Sequence, residues 1–278
     1  MPSVQALNVY PVKSARAIPL GSVKLAATGF EWDRQWMVVD AADSFITQRT
    51  HPRLARVAPS IGRDALRLSA QGLEPLDVPL SLAGTPVTVQ VWNDSCTAQD
   101  QGDAAAQWLS EAIGDAVRLV RVGPLMERLA NARYAPQRAP VTFVDGYPVL
   151  VCNSASLEEL NARMPAPVPM ERFRPNLVIH GLSAFEEDRI AAVEIASSEG
   201  EIVRLRLVKP CTRCVIPSTD QRTGERSTNP LPFLKPFRFD RALKGITFGE
   251  NAVIDSGVGR TIAVGAHCSV RFDEPAGG

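Results

Sequence analysis

The stretch VKPCTRCVIP, residues 208–217, decides how the rest of the chain is read. It opens on the end of an apolar strand, with Pro210 stiffening its entry and Pro217 its exit. Two cysteines, Cys211 and Cys214, flank Thr212 and Arg213. Lys209 and Arg213 bring positive charge beside them, which favours thiolate over thiol. A thiolate there is a metal ligand or a redox group. Three plainer readings stay open on these residues alone. The pair is half of a zinc site, although a structural zinc needs four ligands and His51, His180 and His267 form no paired spacing. It is a thioredoxin-like dithiol, although the βαβ pattern that carries one is missing. Or both sulfurs are buried and structural.

Working outward, Cys96, Cys152 and Cys268 complete a set of five. An odd number at sparse spacing is not a disulfide framework, and these three read as core residues. Free thiols suit a reducing cytoplasm, which is the expected location. Residues 1–12 lack a charged stretch followed by an apolar run, so no signal peptide is expected. No segment approaches the roughly 18 apolar residues of a membrane span. Thirty Lys and Arg balance 30 Asp and Glu. The neutral total argues against nucleic acid or a membrane surface as partner, so any basic site must be local. The chain is 45% hydrophobic over 278 residues, enough for one large core or two modest ones.

Short apolar runs broken by Gly, Pro, Asn and Asp predict a mainly β chain with a few helices, an α+β class. Strands are expected over 4–10, 23–27, 36–39, 65–68, 87–91, 117–122, 149–152, 177–179, 191–195 and 203–208, with small strands joined by Gly turns over 252–272. A helix is expected over 103–113, burying Trp108, Leu109, Ala112 and Ile113, with Gly114 as its C-cap. Ser156 and Glu159 look like a capping box opening a second helix with Leu157, Leu160 and Met164 at helical spacing. Pro, Gly and Arg between 123 and 140 read as a linker or long loop. Two units are therefore expected, 1–120 and 121–273.

Beyond the cysteine pair, several stretches stand together. They are YPVKS at 10–14, GFEWDRQWMVVD at 29–40, TQRTHPRLARV at 47–57, DGYPVLVCNSASLEELNAR at 145–163, RFRPNLVI at 172–179 and VKPCTRCVIPSTDQRTGE at 208–225. In this order they resemble the MOSC domain, named for the molybdenum-cofactor sulfurase C-terminal region, preceded by its N-terminal β-barrel domain. The resemblance implies a β-barrel-like first domain followed by a β-barrel MOSC domain. Relatives with this arrangement include bacterial MOSC oxidoreductases and the mitochondrial amidoxime-reducing component.

The resemblance also implies a molybdenum–pterin cofactor. Its metal ligand would be Cys214. Its pterin and phosphate would be held by Lys13, Ser14, Arg34, Arg174, Asn176, Thr212 and Arg213. Asp145 would stand near the metal as a proton relay, while Gly146 and Tyr147 depart from the small polar residues often found there. The set makes chemical sense: Arg recognises phosphate bidentately, and molybdenum bound by sulfur suits a thiolate. Taken singly, each residue also has a plain reading. Lys13 and Ser14 are a strand end, Arg34 with Asp33 a solvated turn pair, Arg174 a loop organiser and Asp145 turn chemistry. The basic residues from Thr47 to Arg56 line the pocket or face water, and Trp32 and Trp36 read as core or pocket wall.

The activity implied is reduction of N-hydroxylated small molecules, namely hydroxylated bases, amidoximes and hydroxylamines. The cysteine spacing of a plant-type ferredoxin is absent, so electrons are expected from a separate flavin reductase or ferredoxin-type protein. The rival is a sulfur carrier or cofactor carrier, with a persulfide on Cys214. Pyridoxal phosphate, linked to the family by association, is less expected, since no Schiff-base lysine stands out.

Overall fold

The structure, a computed structural model, describes residues 1–81, 84–135 and 137–273. It is mainly β, with three α-helices among the described residues. Its larger sheet runs Cys268–Phe272, Ile190–Ala196, Ile202–Thr212, Gly245–Ser256, Val149–Asn153, Leu177–His180, Ser3–Val9 and Ile18–Leu20. Neighbours are antiparallel except Val149–Asn153 with Leu177–His180, a parallel pair joined through the helix Ser154–Asn161. A parallel pair requires such a crossover.

The sheet curls until its ends meet. Ser3 bridges His267, and Cys268 N–H donates to the Pro2 carbonyl at 2.9 Å. A closed barrel leaves no unpaired edge there. Inside it, Val4, Leu7, Val149, Val151, Leu177, Ile179, Val193, Val203 and Leu205 form one buried cluster. The strand at the very start of the chain is thus a stave among strands from beyond residue 145, so hydrogen bonding runs across position 120.

A second sheet, Trp36–Val39, Arg118–Val122, Asp94–Asp100 and Thr85–Val91, is antiparallel throughout. The helix Asp103–Ile113 covers a cluster behind it with Ala105, Leu109 and Ile113. Gly114 closes that helix in the left-handed region, as expected. Trp108 and Ala112 are only partly buried, because the buried stripe turns toward Ala105 and Ala106.

Two local expectations are corrected. The second helix begins at Ser154 and is capped by the Asn153 side chain, which accepts from Ala155 N–H. Ser156 lies inside it, where its hydroxyl donates to the buried Glu187. The strand expected to stop at Val208 continues to Thr212. It does so across a bulge in its partner: Pro210 faces Glu250, but Thr212 faces Thr247. The extra residue bends the ladder just where the cysteine pair leaves it.

Gly249 makes that bulge, with φ +73. A Cβ there would sit 2.6 Å from Cys152 Sγ and 2.7 Å from the Val151 carbonyl oxygen. Gly249→Ala should therefore cost about 2–3 kcal/mol, from backbone strain and overpacking together. Thermal unfolding should register this as a drop of roughly 5–10 °C; an unchanged melting temperature would mean the bulge is not rigid.

Candidate functional site

Against the barrel strands Val149–Asn153, Ile202–Thr212 and Gly245–Ser256 lies a cavity of about 140 Å³. All nine candidate residues line it: Lys13, Ser14, Arg34, Asp145, Arg174, Asn176, Thr212, Arg213 and Cys214. They arrive on separate elements. Lys13 and Ser14 follow the first barrel strand, Arg34 precedes the strand Trp36–Val39, and Asp145 precedes Val149–Asn153. Arg174 and Asn176 lead into Leu177–His180, and Thr212 to Cys214 leave the bulged ladder.

Backbone strain gathers here. Eight non-glycine residues have positive φ among the described residues, and Ser14 (φ 67), Arg34 (φ 47) and Arg174 (φ 59) are three of them. Such conformations persist only where surrounding contacts fix them, and they concentrate at functional sites. Here they turn two guanidinium-bearing side chains and one hydroxyl-bearing one into the same space.

Those guanidinium groups share one aromatic. The Tyr10 ring is buried, with Arg34 at 4.1 Å and Arg174 at 4.3 Å from its centroid. Its hydroxyl donates to the Pro175 carbonyl at 3.1 Å, and burial pushes its pKa upward, so it stays neutral. A π system beside each cation offsets part of its burial. Tyr10→Phe keeps that arrangement and removes one hydrogen bond, and should cost about 1 kcal/mol. Tyr10→Leu removes the π face and should cost roughly two to three times as much. Denaturant unfolding of the pair checks this, and equal losses would reduce Tyr10 to packing volume.

Each charged candidate is held in place. Arg34 donates to Asp33, which is buried, and at 3.1 Å to Asn176 Oδ1. Asp33–Arg34 is therefore an interior pair, unlike a solvated turn. Asn176 also accepts from Leu150 N–H and donates to the Asn8 carbonyl, so its amide braces Arg34. Arg174 donates to the Ala15 carbonyl at 2.8 Å and to Gln221 at 3.1 Å. Burial pulls it down to about 10. Lys13 donates to the Phe143 carbonyl at 2.7 Å and to Asp145. Burial lowers its pKa, with Asp145 opposing.

Asp145 is a hub. It accepts from Lys13, from Arg49 at 3.2 Å and from Trp92 Nε1 at 3.2 Å. Packing on one side disfavours charge, but the side chain is half-exposed, and Lys13 and Arg49 hold the carboxyl well below the usual carboxylate range. It is an ionised acceptor that positions two cations, which sits poorly with the expected proton relay.

Of the two cations expected beside the cysteine pair, Arg213 is there and Lys209 is turned elsewhere. Arg213 Nη1 lies 3.0 Å from Cys211 Sγ, and its Nη2 donates to the Phe173 carbonyl at 2.6 Å. Lys209 lies over the Tyr134 ring. The arginine thus faces the first cysteine. Cys214 is half-buried and lines the cavity.

Five cationic side chains, with Arg49 as the fifth, face one carboxylate in a chain of zero net charge. Two buried polar atoms on the lining, Arg213 Nε and the Tyr147 hydroxyl, have no partner. Buried donors without acceptors are costly, and an anionic, acceptor-rich group would satisfy them. Among the described residues no three His, Cys, Asp or Glu cluster as metal ligands. A metal held at Cys214 must therefore bring other ligands with it. The donor set fits an anionic, metal-carrying organic cofactor.

Sequence reasoning left Tyr10, Trp92 and Asn251 out of the site. Tyr10 sat within a quoted stretch and Arg49 within the basic run, but Trp92 carried no signal. Trp32 and Trp36 stack on each other at 6.1 Å, with Trp36 fully buried in the core, and do not line the cavity. Cys96, Cys152 and Cys268 are buried, as expected. No helix among the described residues is long and apolar enough to cross a membrane.

Comparison with known proteins matches residues 1–116 to the family model described as the MOSC N-terminal beta barrel domain, and residues 138–269 to that of the MOSC domain. The chain is similar to mitochondrial amidoxime reducing component 2 of Bos taurus, 32% identical over 85% of this chain and 72% of that protein. It is similar to mitochondrial amidoxime-reducing component 1 of Homo sapiens, 31% identical over 91% of this chain and 79% of that one. It is also similar to molybdenum cofactor sulfurase of Drosophila melanogaster, 32% identical over 88% of this chain but 31% of the longer protein.

Proposed function

The chain belongs to the MOSC family, and from that premise we propose that it binds a molybdenum–pterin cofactor and reduces N-hydroxylated small molecules. The observation that carries this reading is the cavity lining: five cations and two half-buried cysteines, Cys211 and Cys214, around one carboxylate. Relatives named amidoxime-reducing components support the substrate class. When bound, the cofactor supplies a two-electron redox centre at which an N–OH group becomes N–H, with water released.

The chain's own residues do the rest. Cys214 provides the soft protein ligand. Arg34, Arg174 and Arg213 form the anion-binding wall, and Lys13 adds a point charge. The hydroxyls of Ser14 and Thr212 make no hydrogen bond to another described residue, so they are available as donors. Asn176 fixes Arg34, and Asp145 keeps Lys13 and Arg49 turned inward. The overall reaction consumes two electrons and two protons per N–OH group. The electrons come from a separate donor, a flavin reductase or ferredoxin-type protein. Lys13 is the lysine of the cavity, and its ammonium is committed to Phe143 and Asp145. That argues against a pyridoxal Schiff base.

The test is purification from a host that makes the cofactor. Near-stoichiometric molybdenum with pterin is expected, together with conversion of benzamidoxime to benzamidine by a reduced viologen dye. Protein without molybdenum would end the cofactor claim. Loaded protein inert to amidoximes and hydroxylamines would end the substrate claim alone.

A further inference from the structure

Beside the cavity opens a groove of about 600 Å³. Arg49, Asp145, Gly146, Thr212, Arg213 and Cys214 line both spaces. The groove therefore reaches the candidate metal ligand from the open side, and its volume is that of a small-molecule site. Its outer wall carries Trp92 and Leu129, which are 44% and 51% exposed.

Trp92 is in an unfavourable place. It is the first residue of the two-residue turn joining Thr85–Val91 to Asp94–Asp100, where Val91 pairs with Asp94. Its φ is +55. Turns of this kind take Gly, Asn or Asp at a positive φ, and a bulky residue there is an outlier. The strain is held by contacts. Gln90 Nε2 donates to the Trp92 carbonyl at 2.6 Å, the indole N–H donates to Asp145, and Phe45 packs at 5.0 Å. The Arg49 guanidinium lies 4.7 Å from the ring centroid. A large aromatic is thus kept oriented, nearly half exposed and hydrogen-bonded to the hub carboxylate, at a position where glycine would fold more easily. Those contacts orient the indole, and the part of it left exposed on the groove is a surface available to a ligand.

We propose that Trp92 is the substrate shelf of this groove, selecting N-hydroxylated compounds whose reacting group is carried on a flat aromatic ring. This rests on the reductase reading above. A flat ring stacks on a fixed indole without losing internal rotors, whereas a saturated ring meets it with fewer close contacts. Asn93 and Asn131, also on the lining, offer amides to polar atoms at the ring edge.

The matched probes are benzamidoxime and cyclohexanecarboxamidoxime, which carry the same head on a flat or a puckered ring. Wild-type protein should prefer the flat substrate by about tenfold in kcat/KM. Trp92→Ala should bring the ratio near one, and Trp92→Phe should keep most of it. Molybdenum content is measured in each preparation, so that lost loading is not mistaken for lost selectivity. Trp92→Gly separates a shelf from a turn support, because it relaxes the turn: it should melt at or above Trp92→Ala yet still lose the preference. A ring preference that survives in Trp92→Ala or Trp92→Gly overturns the proposal.

Calorimetric binding of the two amidine products needs no turnover and isolates this idea from the reductase reading. If loaded wild-type protein reduces neither amidoxime, the reductase reading fails. Tighter binding of benzamidine than of its saturated counterpart, lost in Trp92→Ala, would then still support the shelf. Equal binding of both products by the wild type would overturn it.

Discussion

Cys214→Ser is expected to lower turnover of N-hydroxylated substrates at least about 1,000-fold, equivalent to roughly 4 kcal/mol of transition-state stabilisation. A serine hydroxyl stays protonated at neutral pH and is a hard donor, so it replaces a thiolate badly at a soft metal. The loss should be selective in composition. The anion-binding wall of Arg34, Arg174 and Arg213 is untouched by the change, so pterin should persist after molybdenum has fallen. Arg174→Ala removes a buried cation of that wall, and should lower pterin and metal together. Elemental analysis with pterin fluorescence reads both quantities on one sample. Cys211→Ser is the control, because Arg213 contacts Cys211. An active Cys214→Ser protein beside a dead Cys211→Ser protein would move the ligand to the first cysteine.

The second large effect concerns pH. Glu250 lies on the strand Gly245–Ser256, 4% exposed, and its Oε1 has no hydrogen-bond partner. Burial raises its pKa first, Asp188, Glu187 and Asp273 add to this, and Arg238 opposes them. Arg238 is largely committed to Asp188 and the Thr247 carbonyl. The carboxyl is pushed up to about 9 from an ordinary 4.5. Between those values the folded chain holds a proton that the unfolded chain releases. Stability therefore falls as pH rises through that window and levels off above about 9. At about 1.36 kcal/mol per pH unit, the span is a ceiling of roughly 6 kcal/mol. Glu250→Gln carries no such penalty. It should be more stable than wild type at pH 10 by about 3 kcal/mol, allowing for relaxation around the charge, and nearly equal near pH 5. Urea unfolding at the two pH values decides it; parallel pH profiles would show that Glu250 finds water or a partner when ionised.

The sequence was easiest to read where one element's own pattern decided its structure. The helix Asp103–Ile113 is correct at both ends because an apolar stripe and Gly114 define it. The helix Leu231–Arg238 escaped notice because Pro232 and Pro236 argue against any helix, yet Leu234 anchors it in a buried cluster with Phe173 and Phe248. The strand Asp94–Asp100 escaped for the opposite reason: its residues are mostly polar, and pairing on both sides makes it a strand. Ser156 looked like a cap because the pattern ignores Glu187, the acceptor that takes its hydroxyl into the interior. At the site, Lys13, Arg34, Arg174 and Cys214 stood in stretches whose joint order was informative. Trp92 stood in none, and its left-handed backbone cannot be seen without coordinates. The contact of Tyr10 with two arginines remote in sequence is likewise a property of the assembled fold.

Closure of the barrel by its first strand sets the order of events during synthesis. Ser3–Val9 emerges from the ribosome at the start, but its partner Leu177–His180 follows more than half a chain later, and the bridge to His267 later still. Contacts so distant in sequence slow folding, because loop entropy is lost before they form. The first strand can pair early with Ile18–Leu20, but its other edge stays open until Leu177–His180 arrives, with Tyr10, Lys13 and Ser14 just beyond it. Those residues meet Arg174 and Cys214 only after the bulged ladder has formed. The cavity lining is drawn from residues 13 to 251, so it is complete only once the strand Gly245–Ser256 has been made. A chain stalled before residue 245 should bind neither pterin nor molybdate and should depend on chaperones to shield its first strand.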